Sequence, residues 1–199
     1  MSLELLNTLG TLLTVAIVSA TAIAALVQLR HLRAGNQINA MLSIGDRFQS
    51  AEFRNELYLV QTKLPGLMEQ EDFRRFVASI ALQTPVPEVS PIYREVRDAA
   101  ITVGNVYEEL GILVRNDIID RTLFLDRYCT VIIGAWSRLE KFTAFIRKVR
   151  NDDATWENFE LITVFSKEWS TKYLTSYPKG VPRLNPTCSW PTPTLSASA

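Results

Sequence analysis

The residues that could support catalysis are few and lie far apart along the chain. His31 is the only histidine, and Cys129 and Cys188 are the only cysteines among the 199 residues. Metal sites and general bases normally combine several such side chains at short spacing, and the sequence has no such spacing, phosphate loop or nucleophile motif. We therefore predict no catalytic, metal-binding or cofactor-binding residue. Cys129 lies in an apolar helical pattern, where a free cysteine behaves as a small buried hydrophobe.

A group of carboxylates in the second half of the chain is the remaining candidate for acid–base chemistry. Its members are Glu108, Glu109, Asp120, Glu140, Glu157 and Glu160. Carboxylate pairs act as acid and base when burial separates their pKa values. The alternative is helix capping and ion pairing with Arg138, Arg147 and Arg150, which is ordinary on helix surfaces. We favour the alternative, and Glu108 with its neighbour Tyr107 is the pair to test first.

An N-terminal segment is apolar enough to cross a membrane. No charged residue occurs between Leu5 and Leu29, and residues 9–29 as a helix would rise about 31 Å, the thickness of the hydrocarbon core. A cleaved signal peptide would have a basic start and a shorter apolar stretch. Here Glu4 precedes the span and the apolar run continues directly to Arg30. We predict an uncleaved transmembrane helix at residues 5–29, with the lipid bilayer as partner.

The flanks of the span predict its direction. Arg30, His31 and Arg33 follow it directly, whereas only Glu4 precedes it. Positive residues stay on the cytoplasmic side, so we expect the N-terminus outside and the rest of the chain in the cytoplasm. The same three residues are the predicted membrane-interface anchors.

Small residues within the span recur at a spacing of four. Ala16, Ala20 and Ala24 share one helix face, where two spans could approach closely enough to pack as a homo-oligomer. Alanine is also tolerated on lipid-facing helices, so self-association and passive filling both remain open.

The rest of the chain has helical periodicity and no strand alternation, which predicts an all-α fold: an antiparallel bundle of about five helices over residues 30–175. Ser50 and Asp120 are predicted N-caps, Pro65-Gly66 a helix stop, and Ser90-Pro91 a helix start. Two long apolar stripes predict that Ile132 and Leu139 face Val103 and Leu110 across an antiparallel pair. Residues 176–199 are rich in proline and serine, which predicts a disordered tail.

The aromatic residues of the last two predicted helices have two interpretations. Trp136, Trp156 and Phe159 follow helical spacing, which favours a place in the core. Tryptophan is also enriched at interfaces, so the same three residues are the candidate surface for an unknown protein partner. A last helix is expected to begin near residues 153–156.

Several motifs together resemble a family of small membrane-anchored bacterial proteins known only as a domain of unknown function. They are Glu52-Phe53-Arg54 after the span, Tyr107–Val114, Ile118-Ile119-Asp120, Trp136–Leu139, Arg147 with Arg150, and Trp156–Leu161. The resemblance covers roughly residues 5–175. It implies a one-span helical architecture in the bacterial inner membrane, and it supplies no activity, cofactor or catalytic residue.

Three functions are compatible with these features. The leading one is a membrane-tethered helical interaction or scaffold protein, for which self-association as a homo-oligomer is left open. The alternatives are an oligomeric effector that perturbs or perforates the inner membrane, and, with less support, a helical enzyme. Nucleic-acid binding is not expected, because 21 basic residues are balanced by 21 acidic ones.

Overall fold

The computed structural model describes residues 3–173, together with 175, 177, 180–184, 187, 189 and 190. Within these residues it is all-α, as predicted, with seven helices and no strand. The helices are α1 (Leu3–Gln49), α2 (Ala51–Thr62), α3 (Leu64–Met68), α4 (Glu71–Ala81), α5 (Pro91–Arg115), α6 (Arg121–Arg150) and α7 (Glu157–Lys172). The prediction for the tail falls largely outside the described residues, as does Cys188.

Helix α1 passes through the predicted boundary between residues 29 and 30 without a break. Its most apolar stretch has a mean hydropathy of 2.2 over 18 residues and is not buried anywhere in the chain, so α1 is long and apolar enough to span a membrane. Its last turns join the folded domain: Ile44 is buried, and the ring of Phe48 lies 5.3 Å from that of Tyr128.

Two helix starts follow the predicted capping chemistry. The side chain of Ser50 accepts a hydrogen bond from the Phe53 amide (3.2 Å), and that of Asp120 accepts one from the Leu123 amide (2.9 Å). The predicted stop at Pro65-Gly66 is wrong, because both residues lie inside α3. Proline is accepted in the first turn of a helix, where its missing amide proton has no partner to lose.

Helix α7 contacts both α5 and α6, and this changes the predicted seam. Phe159 of α7 stacks on Tyr107 of α5 (centroids 4.7 Å apart) and meets Trp136 of α6 edge-on at 5.0 Å. Direct contact between α5 and α6 is sparse. The four residues of the predicted seam are all buried: Val103, Leu110, Ile132 and Leu139. They belong to a core that α7 completes.

The start of α7 is displaced to Glu157 because Trp156 adopts a left-handed conformation (φ 56°). This backbone is strained for a bulky residue. Two contacts hold this backbone. The Trp156 indole packs against Gly104, in space that a Cβ on this glycine would occupy, and the indole Nε1 donates a 3.0 Å hydrogen bond to Asn105. Absence of a side chain at Gly104 therefore allows α7 to approach α5.

Candidate functional site

The three predicted membrane-interface residues lie exposed on α1, between its apolar stretch and the folded domain. Arg30, His31 and Arg33 are all exposed. The Arg33 guanidinium donates a hydrogen bond of 3.5 Å to the carbonyl of Asp117, in the connector between α5 and α6. This contact places the connector beside the first turn of α1 after the predicted span.

The small residues of the predicted span share a helix face with residues further along α1. Ala16, Ala20 and Ala24 are exposed along the span. Each is followed 18 residues later by a residue that lines a groove beside the domain. These residues are Ala34, Ile38 and Leu42. Because a helix has 3.6 residues per turn, 18 residues are five full turns, so both sets share one face.

The groove lies between the last part of α1 and the start of α6, and it has a volume of about 640 Å³. Its walls carry large apolar side chains that are more than half exposed: Ile38 (60%), Leu42 (62%) and Leu123 (62%). Contiguous exposed apolar surface of this kind is typical of binding sites rather than of free protein surface. Sequence analysis missed the groove, because it is formed only when α6 packs beside α1.

Charged residues also line this groove. Asp46 comes from α1, and Asp126 and Arg127 come from α6. Within the described residues none of the three forms an ion pair. Arg127 instead lies over the ring of Tyr128 (5.5 Å) and donates a hydrogen bond of 3.2 Å to its hydroxyl. The groove thus combines an apolar floor with unpaired charges of both signs.

The aromatic residues proposed as a partner surface lie in the core instead. Trp136, Trp156 and Phe159 are only 8%, 6% and 0% exposed. They fill the space where α7 meets α5 and α6, so they are not available to a partner, and the core interpretation of their helical spacing is the correct one. Cys129 is only partly buried, because it follows the buried Tyr128 at the border between core and solvent.

The candidate carboxylates do not converge on one site. Glu109 pairs with Arg47 (3.6 Å), Glu157 with Arg115 (3.7 Å) and Glu160 with Arg147 (2.7 Å). Asp120 caps α6, and Glu140 lines a surface cleft together with Glu160 and Arg147. Across the described residues, no group of three or more His, Cys, Asp or Glu side chains could hold a metal ion. The cap of Asp120 and the ion pairs of Glu109, Glu157 and Glu160 agree with the favoured interpretation. Of the three predicted arginine partners only Arg147 forms such a pair within the described residues, and Glu140 forms none there.

Glu108 has a structural role that its position next to Tyr107 did not reveal. Its carboxylate accepts hydrogen bonds from the backbone amides of Asn158 (3.0 Å) and Phe159 (2.9 Å) and from the Asn158 side-chain amide (2.6 Å). It therefore caps α7 from the neighbouring helix α5. A Cβ on Gly111 would clash with Asn158, so Gly104 and Gly111, seven residues apart on one face of α5, mark the crossing of α7.

The Tyr107 hydroxyl is buried among aromatic rings and has no hydrogen-bond partner within the described residues. Desolvation raises the pKa of the Tyr107 phenol well above its usual value, and the positive charge of Arg138 offsets this only in part. Such a phenol stays protonated and is unsuited to act as a base. The Tyr107–Glu108 pair thus serves the packing of α7.

Comparison with known proteins identifies the family alone. No curated protein matches the chain, and no solved structure matches it. A family model described as "Domain of unknown function (DUF4760)" matches residues 15–164, from within the apolar part of α1 to the middle of α7. The predicted membership of a family of unknown function is confirmed: the chain belongs to the DUF4760 family.

Proposed function

We propose that this protein is a membrane-tethered helical interaction protein that self-associates through α1. The observation that carries the proposal is the continuity of α1, a single helix that holds both an unburied apolar span and one wall of an apolar groove. No catalytic constellation accompanies these two features in the described residues.

Exposure of the N-terminal part of α1 supports insertion in a lipid bilayer. Its large side chains, such as Val18 (62%) and Ile23 (63%), are exposed, and their exposure to water would cost about 25 cal/mol per Å². The hydroxyls of Thr14 and Thr21 donate to carbonyls four residues earlier in the same helix. Polar groups satisfied within the helix are what a span in hydrocarbon requires.

The proposed location is the bacterial inner membrane, with the N-terminus outside and the domain in the cytoplasm. The excess of Arg30 and Arg33 after the span supports this direction. Alkaline phosphatase fused after Ala199 tests it, because that enzyme folds only outside the cytoplasm. We expect no phosphatase activity together with activity of a cytoplasmic reporter at the same site. An active phosphatase would overturn the direction.

Self-association is supported by the shared face of the span and the groove. Copies tethered in one membrane meet side by side and in parallel. A two-fold interface brings the same surface of each copy together. The α1 face that carries Ala20 and Ile38 can therefore contact the second copy twice, through Ala20 within the membrane and through Ile38 beside the domain. Small residues at the span allow close backbone approach, and the exposed groove residues supply apolar area.

The unpaired charges of the groove are complementary in such a pair. With two-fold symmetry, Asp46 of one copy can meet Arg127 of the second copy, and the reverse contact follows. A charge swap tests this: Asp46→Arg or Arg127→Asp alone should weaken association, and the double variant should restore it. Failure of the double variant to recover would exclude this pairing.

Cysteine crosslinking in membranes provides the direct test of association. On a background of Cys129→Ser and Cys188→Ser, Ala20→Cys should form disulfide-linked dimers under mild oxidant. Ala22→Cys is the matched control, since it replaces the same residue type about 200° around the helix. Equal yields of crosslinked dimer at positions 20 and 22 would refute association through one specific helix face. A lack of crosslinked dimer at both positions would refute self-association through the span.

The effector alternative is less well supported. A pore needs a polar face along the span, but the threonine hydroxyls there are bonded to their own helix and the stretch carries no charge. Release of a trapped dye from vesicles that contain the protein would favour the effector over the tether.

A further inference from the structure

The connector between α5 and α6 lies at the level of the membrane surface, given that α1 spans the bilayer as proposed above. Arg33 is four residues beyond Leu29, which is about 6 Å along the helix axis. The headgroup layer on each side of the hydrocarbon core is about 5–8 Å thick. Because the Arg33 side chain reaches the Asp117 carbonyl, the connector lies within or against that layer.

The tip of this connector is apolar. Ile118 is 51% exposed, although it follows Asp117 in a tight turn at the end of α5. The next residue, Ile119, is fully buried and anchors the turn in the core. An exposed isoleucine held rigidly at this height would contact lipid rather than water.

The end of α7 lies at the same end of the domain, since it packs beside the start of α6. Arg121 lies 4.9 Å above the ring of Phe165, and a shallow surface cleft joins Arg121 to Trp169 and Tyr173. The Trp169 and Tyr173 rings are 4.3 Å apart, and Tyr173 is 44% exposed. Tryptophan and tyrosine are enriched at the membrane–water interface, where an apolar ring and a polar edge are both satisfied.

The cations of this end are available to anions. Arg30, Arg33, Arg121 and Lys172 form no ion pair within the described residues. Carboxylates share this end: that of Asp120 is bonded to the α6 amide that it caps, and that of Glu168 lines the same cleft as Arg121 and Lys172. These four cations outnumber by one the carboxylates of Asp117, Asp120 and Glu168 at the same end, so this end combines an exposed isoleucine with a small positive excess, which favours a layer of phosphate groups over hydrocarbon.

We propose that this end of the domain docks on the phospholipid headgroups of the membrane that α1 spans. Ile118 enters the layer, while Arg121 and Lys172 bind lipid phosphates. The inference depends on the proposed membrane anchor, and it adds a second, lipid-dependent contact that holds the domain against the bilayer. The ligand is the headgroup layer itself, rather than a soluble phosphate or a second protein.

Position-specific quenching in vesicles tests the docking. A fluorophore is attached to a single cysteine introduced into the full chain, from which the two native cysteines have been removed. The labelled protein is placed in phosphatidylcholine vesicles whose headgroups carry a nitroxide, which quenches a fluorophore that comes close to it. Ile118→Cys should be quenched several times more strongly than Leu82→Cys. Leu82 is the matched control, because it is 53% exposed and follows α4, whose Phe73 and Phe76 pack against Tyr93 at the opposite end of α5.

Two further arms identify the cause. Added phosphatidylglycerol should increase quenching at residue 118, and Arg121→Gln with Lys172→Gln should lower the docked-to-free ratio by about fivefold for each cation removed. A fluorophore at Ile17→Cys reports the span. If the fluorophores at positions 118 and 82 are quenched equally while the fluorophore at position 17 stays shielded from aqueous iodide, the docking alone is overturned. If aqueous iodide quenches the fluorophore at position 17, the membrane anchor is overturned, and the docking is overturned with it.

Discussion

Replacement of Glu108 by alanine should destabilise the domain far more than its partly buried position alone would suggest. The side chain accepts three hydrogen bonds, and two of them satisfy backbone amides at the start of α7. Those amides have no partner within their own helix, as is general for a helix N-terminus. Glu108→Ala leaves them unpaired beside the buried ring of Phe159.

The magnitude follows from the bonds that are lost. A hydrogen bond to a charged group contributes about 1.5–3 kcal/mol, and loss of a helix cap costs about 0.5–2 kcal/mol. These contributions overlap, and water reaches part of the site, so we expect a loss of about 2–4 kcal/mol in the free energy of unfolding. For a chain of this size that lowers Tm by about 4–16 °C. Glu108→Gln keeps one acceptor oxygen and should lose about half as much.

Glu109→Ala is the matched control. It removes the same side chain one residue further along the same helix, where the carboxylate is 65% exposed and pairs with Arg47 at 3.6 Å. Exposed pairs contribute about 0–1 kcal/mol, so this variant should remain close to the parent protein. Thermal unfolding of the full chain in micelles, followed by tryptophan fluorescence, gives both values. Equal losses for the two variants would refute the cap.

The other predictions concern the core and two titrating groups. Leu139→Ala should cost about 2–5 kcal/mol in urea unfolding, because the leucine is fully buried. Gly104→Ala should lower Tm because its Cβ would meet the indole on α7, whereas Gly66→Ala has free space and should not. Since burial raises the pKa of the Tyr107 phenol, the unfolded chain ionises first and stability should fall as pH rises above about 10; the Tyr107→Phe variant should lose less. Burial and Glu52 raise the pKa of Glu56, so the folded state binds this proton more tightly and Glu56→Gln should be stabilising at pH 7 but not below about pH 4, as measured by urea unfolding at both values.

Local chemistry explains which parts of the fold could be predicted. Ser50 and Asp120 act on amides three residues away, so short motifs were sufficient to place two helix starts. The packing of α7 depends instead on contacts between Gly104 and Trp156, 52 positions apart, and on Glu108 reaching Asn158. Apolar periodicity shows that a helix has a buried face, but it does not select the helix that covers that face.

The groove was unpredictable for a related reason. Beyond Arg33, α1 carries apolar residues on two adjoining faces: Ile44 enters the core, while Ile38 and Leu42 remain exposed. All three are large aliphatic residues. Which of them is covered depends on where the start of α6 lies, and this is set by contacts between residues far apart in the sequence, such as the packing of α7 on α6.

The absence of any hinge between residues 29 and 30 has a mechanical consequence. In a membrane, a helix that continues unbroken from lipid into the domain acts as a rigid lever, so that any tilt of the span is transferred to the domain. Spans tilt in response to bilayer thickness. Helix α6 is about 45 Å long, which sets the scale of the domain. A point of the domain about 45 Å from the membrane would move by about 8 Å when the tilt of the span changes by about 10°. The position of the domain would thereby report the thickness of the surrounding bilayer.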